Sequence, residues 1–98
     1  MTEVVFLDPA LTELREAARW YDEHQTGVGH EFLRAVDQAL DRLLRDPSAR
    51  PTTGKGIYRQ LVDRFPFDLL YRIRPARIEV VAVAHHSRKP GYWQHRAR

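Results

Sequence analysis

The chain has 98 residues, 30% of them charged, and no cysteine, so packing of one core must stabilise it without a disulfide framework or a thiolate metal site. No stretch approaches the roughly 18 apolar residues of a membrane span, and the opening residues lack a secretory signal, so we expect a single cytoplasmic domain over residues 1–98. The two halves of the chain differ in charge. Residues 1–49 hold five arginines and ten acids, a net charge of −5, whereas residues 50–98 hold eleven basic residues and three acids, a net charge of +8. The basic second half indicates a surface for phosphate or an acidic partner.

The first half of the chain predicts one strand and two helices. Residues 3–7 are β-branched and aromatic, which is typical of a buried strand. Asp8 is expected to cap a helix that has Pro9 in its first turn and ends near Gly27, and the next helix should end at Asp46 because Pro47 follows. The two form an antiparallel helical hairpin in this interpretation. The apolar positions at helical spacing are Leu11, Leu14, Ala18 and Tyr21, followed by Phe32, Leu33, Val36, Leu40, Leu43 and Leu44.

The second half changes to a period of two, which predicts strands. Three are expected, at residues 57–62, 68–74 and 77–86, and only two residues separate the last pair, so it should form a hairpin. This order, β-α-α-β-β-β, predicts an α+β fold: an N-terminal strand, then a two-helix hairpin on one face of a mainly antiparallel sheet, then a basic aromatic C-terminal tail. On the middle strand, Leu69, Tyr71 and Ile73 are expected to face the helices, and Leu70, Arg72 and Arg74 to face away.

Two short motifs suggest other ligands but lack the necessary spacing. Gly54-Lys55-Gly56 has no longer phosphate-loop frame and precedes a strand, so a turn is expected there. A zinc site from His85, His86 and His95 would need ligand pairs at fixed spacing, which the sequence lacks. We therefore expect neither a metal ion nor a cofactor.

The stretch "RQLVDRFPFDLLYRIRPARIEVVAVAHHSRKPGYW" resembles the C-terminal half of the RelE/ParE superfamily of bacterial toxins. The resemblance depends on the Arg-x-Leu-Val strand end, the Phe65-Pro66-Phe67 turn, the Leu-Leu-Tyr-Arg and Ala-Val-Ala-His strands, and the Arg-Lys-Pro and Tyr-Trp that follow. "DPALTELREAARWYDEHQTGVGHEFLRAVDQAL" is more loosely similar to the superfamily's two-helix segment. The likeness thus covers nearly the whole chain.

The resemblance implies the toxin of a type II toxin-antitoxin module, with a role in growth inhibition and plasmid stabilization. Such a toxin forms a hetero-oligomer with a cognate antitoxin whose C-terminal segment wraps it. One branch of the superfamily cleaves mRNA on the translating ribosome, and the other poisons DNA gyrase. A toxin-like protein without activity is the third alternative.

Cleavage of RNA without a metal requires a base at the 2′-hydroxyl, a cation on the phosphoryl oxygens and an acid at the leaving oxygen. Neighbouring residues of a strand point to opposite faces, so at most one of two adjacent histidines is expected in the site. The candidate catalytic residues are His85 and His86 as acid or base, Arg64 and Arg88 on phosphate, and Tyr92 beside the nucleobase.

Asp68 departs from the RelE branch, whose members resemble one another in placing an arginine directly before the aliphatic-aliphatic-tyrosine strand. An acid there would repel phosphate, which argues against cleavage. Poisoning of gyrase requires only a binding surface, so we prefer it, although the tail aromatics could instead fold back over the sheet and the helical aromatics could belong to the core. The candidate residues are Arg72, Arg74, Arg88, Lys89, Tyr92, Trp93 and Arg96 for the target, and Trp20, Tyr21, Phe32 and Arg59 for the antitoxin.

Overall fold

The computed structural model describes residues 2–97 and has the predicted order of elements. A strand precedes two helices, and the remaining strands follow before a basic tail that ends in a short 3-10 turn. Within this part of the chain, no helix is both long and apolar enough to cross a membrane. The elements are β1 (Glu3–Phe6), α1 (Asp8–His24), α2 (Val28–Arg45), β2 (Thr52–Gly54), β3 (Ile57–Val62), β4 (Phe67–Arg74) and β5 (Arg77–His85), with 3-10 turns at Pro47–Ala49 and Gln94–Ala97.

The strands form one sheet in the order β1-β5-β4-β3-β2. β1 lies parallel to β5, and the other neighbours are antiparallel, so the predicted α+β fold with a mainly antiparallel sheet is confirmed. The predicted hairpin of β4 and β5 is also present, with Arg74 opposite Arg77. β2 was not predicted, because its three exposed residues carry no apolar alternation. It joins β3 through a turn in which Gly54, Lys55 and Gly56 all have positive φ.

The helix starts depend on the chain around them more than on local caps. α1 begins at Asp8 with Leu7 as its N-cap residue, so the prediction that Asp8 is the cap is wrong by one position. Asp8 instead places a negative charge in the first turn, where the helix dipole favours it. The start of α2 is held by Asp22 of α1, whose Oδ1 accepts hydrogen bonds from the N–H groups of Gly27 and Gly29 at 3.0 and 2.9 Å.

Both helices pack on one face of the sheet. The core between them includes the aromatic rings of Tyr21, Phe32, Phe65 and Phe67, which contact one another with centroids 4.9–6.3 Å apart. The hydroxyl of the buried Tyr71 donates a hydrogen bond to the carbonyl of Pro47, two residues after α2, at 2.6 Å. Such a bond satisfies a polar group that burial would otherwise penalise.

Two apolar residues predicted to face the core do not. Ile73 is 41% exposed, because β3 pairs with β4 only as far as Tyr71 and leaves the end of β4 without a neighbour on that side. Leu33 is 38% exposed on the outer side of α2. Both corrections reflect the limited extent of neighbouring elements, which periodicity does not reveal.

A second apolar cluster lies on the sheet face opposite the helices. A β-bulge places one extra residue, Val81, in β5 between the partners of Leu70 and Tyr71. As a result, Val81 and Ala82 both belong to this second cluster, whereas Val80 and Val83 belong to the helix-side core. Trp93 of the tail packs on the second cluster and is only 8% exposed. The tail therefore folds back over the sheet.

Candidate functional site

A cleft of about 740 Å³ lies between the sheet face opposite the helices and the C-terminal tail. Its floor includes the apolar side chains of Leu61, Leu70 and Ala84. Alternation along β3, β4 and β5 directs these residues away from the helices. We call this site the cationic cleft, because three exposed cationic side chains line it: Arg59 from β3, and Arg88 and Lys89 from the tail.

Both histidines line the cationic cleft, but the ring of one of them packs on the helix side. His86 Nε2 lies 3.3 Å from Asp68 Oδ1, and both residues line the cleft. His85 lies on the helix side, where its ring contacts Phe67 edge to face at 5.0 Å between centroids. The two histidines are thus separated as strand alternation predicts. The acid that departs from the RelE pattern does not face the cleft alone, because the imidazole of His86 accompanies it.

The tail is tied to α1 by Glu13, which sequence reasoning missed. Its carboxylate accepts hydrogen bonds from the Tyr92 hydroxyl at 2.7 Å and from two nitrogens of the Arg96 guanidinium at 2.9 and 3.2 Å. The side chains of Arg96 and Glu13 are 12% and 15% exposed. Glu13 lies three residues after the buried Ala10 and four before the partly buried Ala17, so a charge at helical spacing with core alanines was the available signal. We call this network the Glu13 clamp.

The Glu13 clamp also closes a free sheet edge. β1 pairs with β5 only up to Val80, so the following backbone groups of β5 lack a strand partner on that side. The N–H of Val83 donates to Glu13 Oε1 at 3.0 Å, and Arg96 donates to the carbonyl of Val81 at 3.3 Å. Side chains therefore occupy an edge that would otherwise be open to pairing.

The ring of Tyr92 supports one of the cleft cations. The Arg88 guanidinium lies over this ring, 3.9 Å from the centroid, in a cation–π contact. Burial raises the pKa of the Tyr92 hydroxyl well above its usual value of 10.0, and the hydrogen bond to Glu13 raises it further. Tyr92 thus stays protonated, and its only proton is donated to Glu13.

Three other arginines of the basic half pair with a single buried acid. Glu79 is within 2.6 Å of Arg72, 3.4 Å of Arg74 and 2.5 Å of Arg77. The hydrogen bond from Arg72 is the main cause of a lowered pKa for Glu79, against the opposing effect of burial. By contrast, no salt bridge involves Arg59, Arg88 or Lys89 within residues 2–97.

The structure therefore brings together only part of the predicted target and catalytic residues. The cationic cleft is lined by His85, His86, Arg88, Lys89, Tyr92 and Trp93. Three predicted residues lie elsewhere: Arg64 in the β3–β4 turn with φ 68°, and Arg72 and Arg74 beside Glu79. Arg96 is turned inward to Glu13.

The predicted antitoxin residues are divided between the two faces of the sheet. Trp20 is 54% exposed on α1 and stacks on His24 with centroids 3.8 Å apart. Tyr21 is half-buried beside it, whereas Phe32 is fully buried and offers no surface in this structure. Arg59 lies in the cationic cleft, on the opposite sheet face. Among residues 2–97, no three histidine, aspartate or glutamate side chains form a group suited to a metal ion.

Comparison with known proteins supports the resemblance inferred from the sequence. A solved structure described as the chromosomal ParDE TA system from P. aeruginosa contains a chain of similar fold, with a TM-score of 0.75 and 15% sequence identity, over 87% of this chain and 96% of that chain. No curated protein matches the chain. Residues 4–90 match the family described as the ParE toxin of the type II toxin-antitoxin system, parDE. The chain therefore belongs to the ParE toxin family of type II toxin-antitoxin systems.

Proposed function

We propose that this toxin inhibits growth by binding DNA gyrase in the cytoplasm through the cationic cleft, and that a cognate antitoxin neutralises it. The observation that supports binding over catalysis is the dispersal of the candidate catalytic residues. Arg64 lies outside the cleft, the His85 ring packs against Phe67, and the Tyr92 hydroxyl is committed to Glu13. What remains around the cleft is a set of unpaired cations on an apolar floor, which suits recognition of an anionic surface.

A gyrase assay tests the proposed target. Purified toxin is added to gyrase with relaxed plasmid and ATP, and both supercoiling and trapped DNA cleavage are measured. We expect loss of supercoiling and accumulation of cleaved plasmid. Arg88→Ala and Lys89→Ala should weaken inhibition in a graded way, because binding energy is shared among several contacts. Full supercoiling activity at a large excess of folded toxin would rule out gyrase as the target.

The Asp68–His86 pair is the one observation that favours the ribonuclease alternative. An imidazole 3.3 Å from a carboxylate and close to cations is a possible proton-transfer group. Mapping of new RNA ends soon after induction of the toxin alone separates the alternatives. Our proposal predicts growth arrest with intact messages, whereas cuts confined to translated coding regions and lost in His86→Ala would replace it with ribosome-dependent mRNA cleavage.

The exposed face of α1 is our proposed contact for the antitoxin. Trp20 borders a cavity of about 290 Å³ that Ala17, Tyr21, Phe67 and His85 also line. An apolar antitoxin side chain inserted there would also cover the exposed indole of Trp20, and buried tryptophans are frequent anchors of interfaces. The antitoxin is thereby proposed to dock on the helix side, with only an extension reaching Arg59.

Titration of the antitoxin against two matched toxin variants tests this contact. We expect Trp20→Ala to weaken antitoxin binding by roughly 30-fold, the equivalent of about 2 kcal/mol for an interface anchor. Arg19→Ala, an exposed neighbour on α1, serves as the control and should bind normally. Equal affinities of the two variants would contradict the proposed docking site.

A further inference from the structure

We propose that the cationic cleft binds the phosphate backbone of nucleic acid and does not read the bases. This deepens the proposed function, since the nucleic acid in question would be the DNA held by the target enzyme. Within residues 2–97, the structure leaves only some of the basic residues without an acidic partner. The basic half has a net charge of +8, yet Glu79 pairs with three of its arginines and Glu13 with a fourth.

Three of the cations without such partners lie together, whereas Lys55 and Arg64 lie in turns outside the cleft. Arg59, Arg88 and Lys89 line the same cleft, are exposed, and form no salt bridge within the described residues. Arg59 projects from the sheet, whereas the other two belong to the tail, so a ligand in the cleft meets cations from two elements. A chain of phosphates presents repeated charges that can meet all three, whereas a single carboxylate can meet only one or two.

The position of Arg88 is defined before any ligand binds. Its guanidinium lies over the Tyr92 ring, and Tyr92 is held in turn by Glu13. A stacked guanidinium keeps its N–H edge free for two parallel hydrogen bonds to phosphate oxygens, and its prior ordering lowers the entropic cost of binding. The acid that lines the cleft, Asp68, lies beside His86, with its Oδ1 3.3 Å from the imidazole Nε2.

The aromatic residues of the cleft do not offer open faces to bases. Trp93 is 8% exposed and packs on the second apolar cluster. The ring of Tyr92 is covered on one side by Arg88, with Arg96 5.2 Å from its centroid. Stacking on bases requires an accessible ring face. Contacts to phosphates position a protein on nucleic acid without reporting sequence, so binding here should be independent of base sequence.

Fluorescence anisotropy with labelled 20-base-pair duplexes of two unrelated sequences, across a range of salt concentrations, tests the site. We expect equal affinities for both duplexes and a log–log salt slope that becomes shallower by about 1 in Arg59→Gln and in Lys89→Gln. Arg77→Gln is the matched control, because it removes the same charge from an arginine that is paired with Glu79. Slopes that change equally in all three variants, or affinity that depends on base sequence, would overturn the assignment.

Two further experiments distinguish DNA from RNA as the source of the phosphate, and failure of the phosphate site from failure of the proposed gyrase target. Single-stranded RNA should bind more weakly than duplex DNA, and binding of RNA alone would overturn the assignment to DNA. The same variants are then added to gyrase. If wild-type toxin binds DNA as expected but leaves gyrase active, the proposed target fails and the phosphate site stands. If Arg59→Gln and Lys89→Gln lose DNA binding yet inhibit gyrase like wild type, the cleft has no part in target engagement and the inference is overturned.

Discussion

Removal of the Glu13 carboxylate should release the C-terminal tail and destabilise the whole domain. In Glu13→Ala, the Arg96 guanidinium keeps only its hydrogen bond to the carbonyl of Val81, although it stays largely buried. The Tyr92 hydroxyl and the Val83 N–H lose their acceptor at the same time. Three polar groups that were satisfied by one side chain are thus left to find water or new partners.

The expected cost follows from the burial of these groups. Breaking a buried ion pair from one side costs about 3–5 kcal/mol, and each unsatisfied polar group adds about 1–3 kcal/mol where water cannot reach it. Because Glu13 and Arg96 retain 15% and 12% exposure, water can replace part of the loss. We therefore expect the free energy of unfolding to fall by about 3–4 kcal/mol in total, a large share of the roughly 5–15 kcal/mol typical of a domain.

Urea unfolding followed by far-UV circular dichroism measures this cost, and brief trypsin digestion reports on the tail through cleavage after Arg88. Glu16→Ala, at an exposed position of α1, is the control and should change stability by no more than about 0.5 kcal/mol. A double-mutant cycle with Arg96→Met should give a coupling energy of at least about 1 kcal/mol. If Glu13→Ala matched Glu16→Ala in both stability and trypsin resistance, the clamp would be refuted as a stabilising element.

Three other changes test the core and the charge network. Gly29→Ala should lower the free energy of unfolding by about 2–3 kcal/mol in urea, because its Cβ would lie 2.3 Å from the carbonyl oxygen of Ala18; unchanged stability would contradict this close helix contact. The pKa of Glu79 is lowered from 4.5, so its stabilising contribution is present above that pH and lost as the pH falls through the folded-state pKa. Glu79→Gln should therefore flatten the acid limb of a stability–pH profile, and an unaltered limb would show that Glu79 does not cause it. Burial raises the pKa of Tyr71 from 10.0 to about 12, so wild type should lose stability as the pH rises between these values, whereas Tyr71→Phe should show a weaker alkaline loss in thermal melts. Identical alkaline profiles would argue against that pKa.

Much of the architecture was predictable because its causes are local. Apolar residues three and four positions apart predicted both helices, and apolar residues two positions apart predicted β3, β4 and β5, since each period reflects one buried face. β2 was not predicted, because an exposed edge strand needs no apolar pattern. Ile73 was misplaced because the exposure of a strand end depends on where its neighbour stops.

The candidate site was predictable in composition but not in arrangement. Its basic and aromatic residues follow one another in the tail, so their presence near one surface was apparent from the chain itself. Their roles depended on acids outside the tail: Glu13 binds residues 70 to 83 positions later, whereas Glu79 pairs with three arginines of the β4–β5 hairpin, two to seven residues away. A local pattern does not reveal the partners of Glu13, because ion pairing is set by which side chains the folded backbone brings within a few ångströms. Periodicity, composition and family resemblance thus led to the fold and the kind of toxin, whereas long-range packing determined which cations remain free to bind.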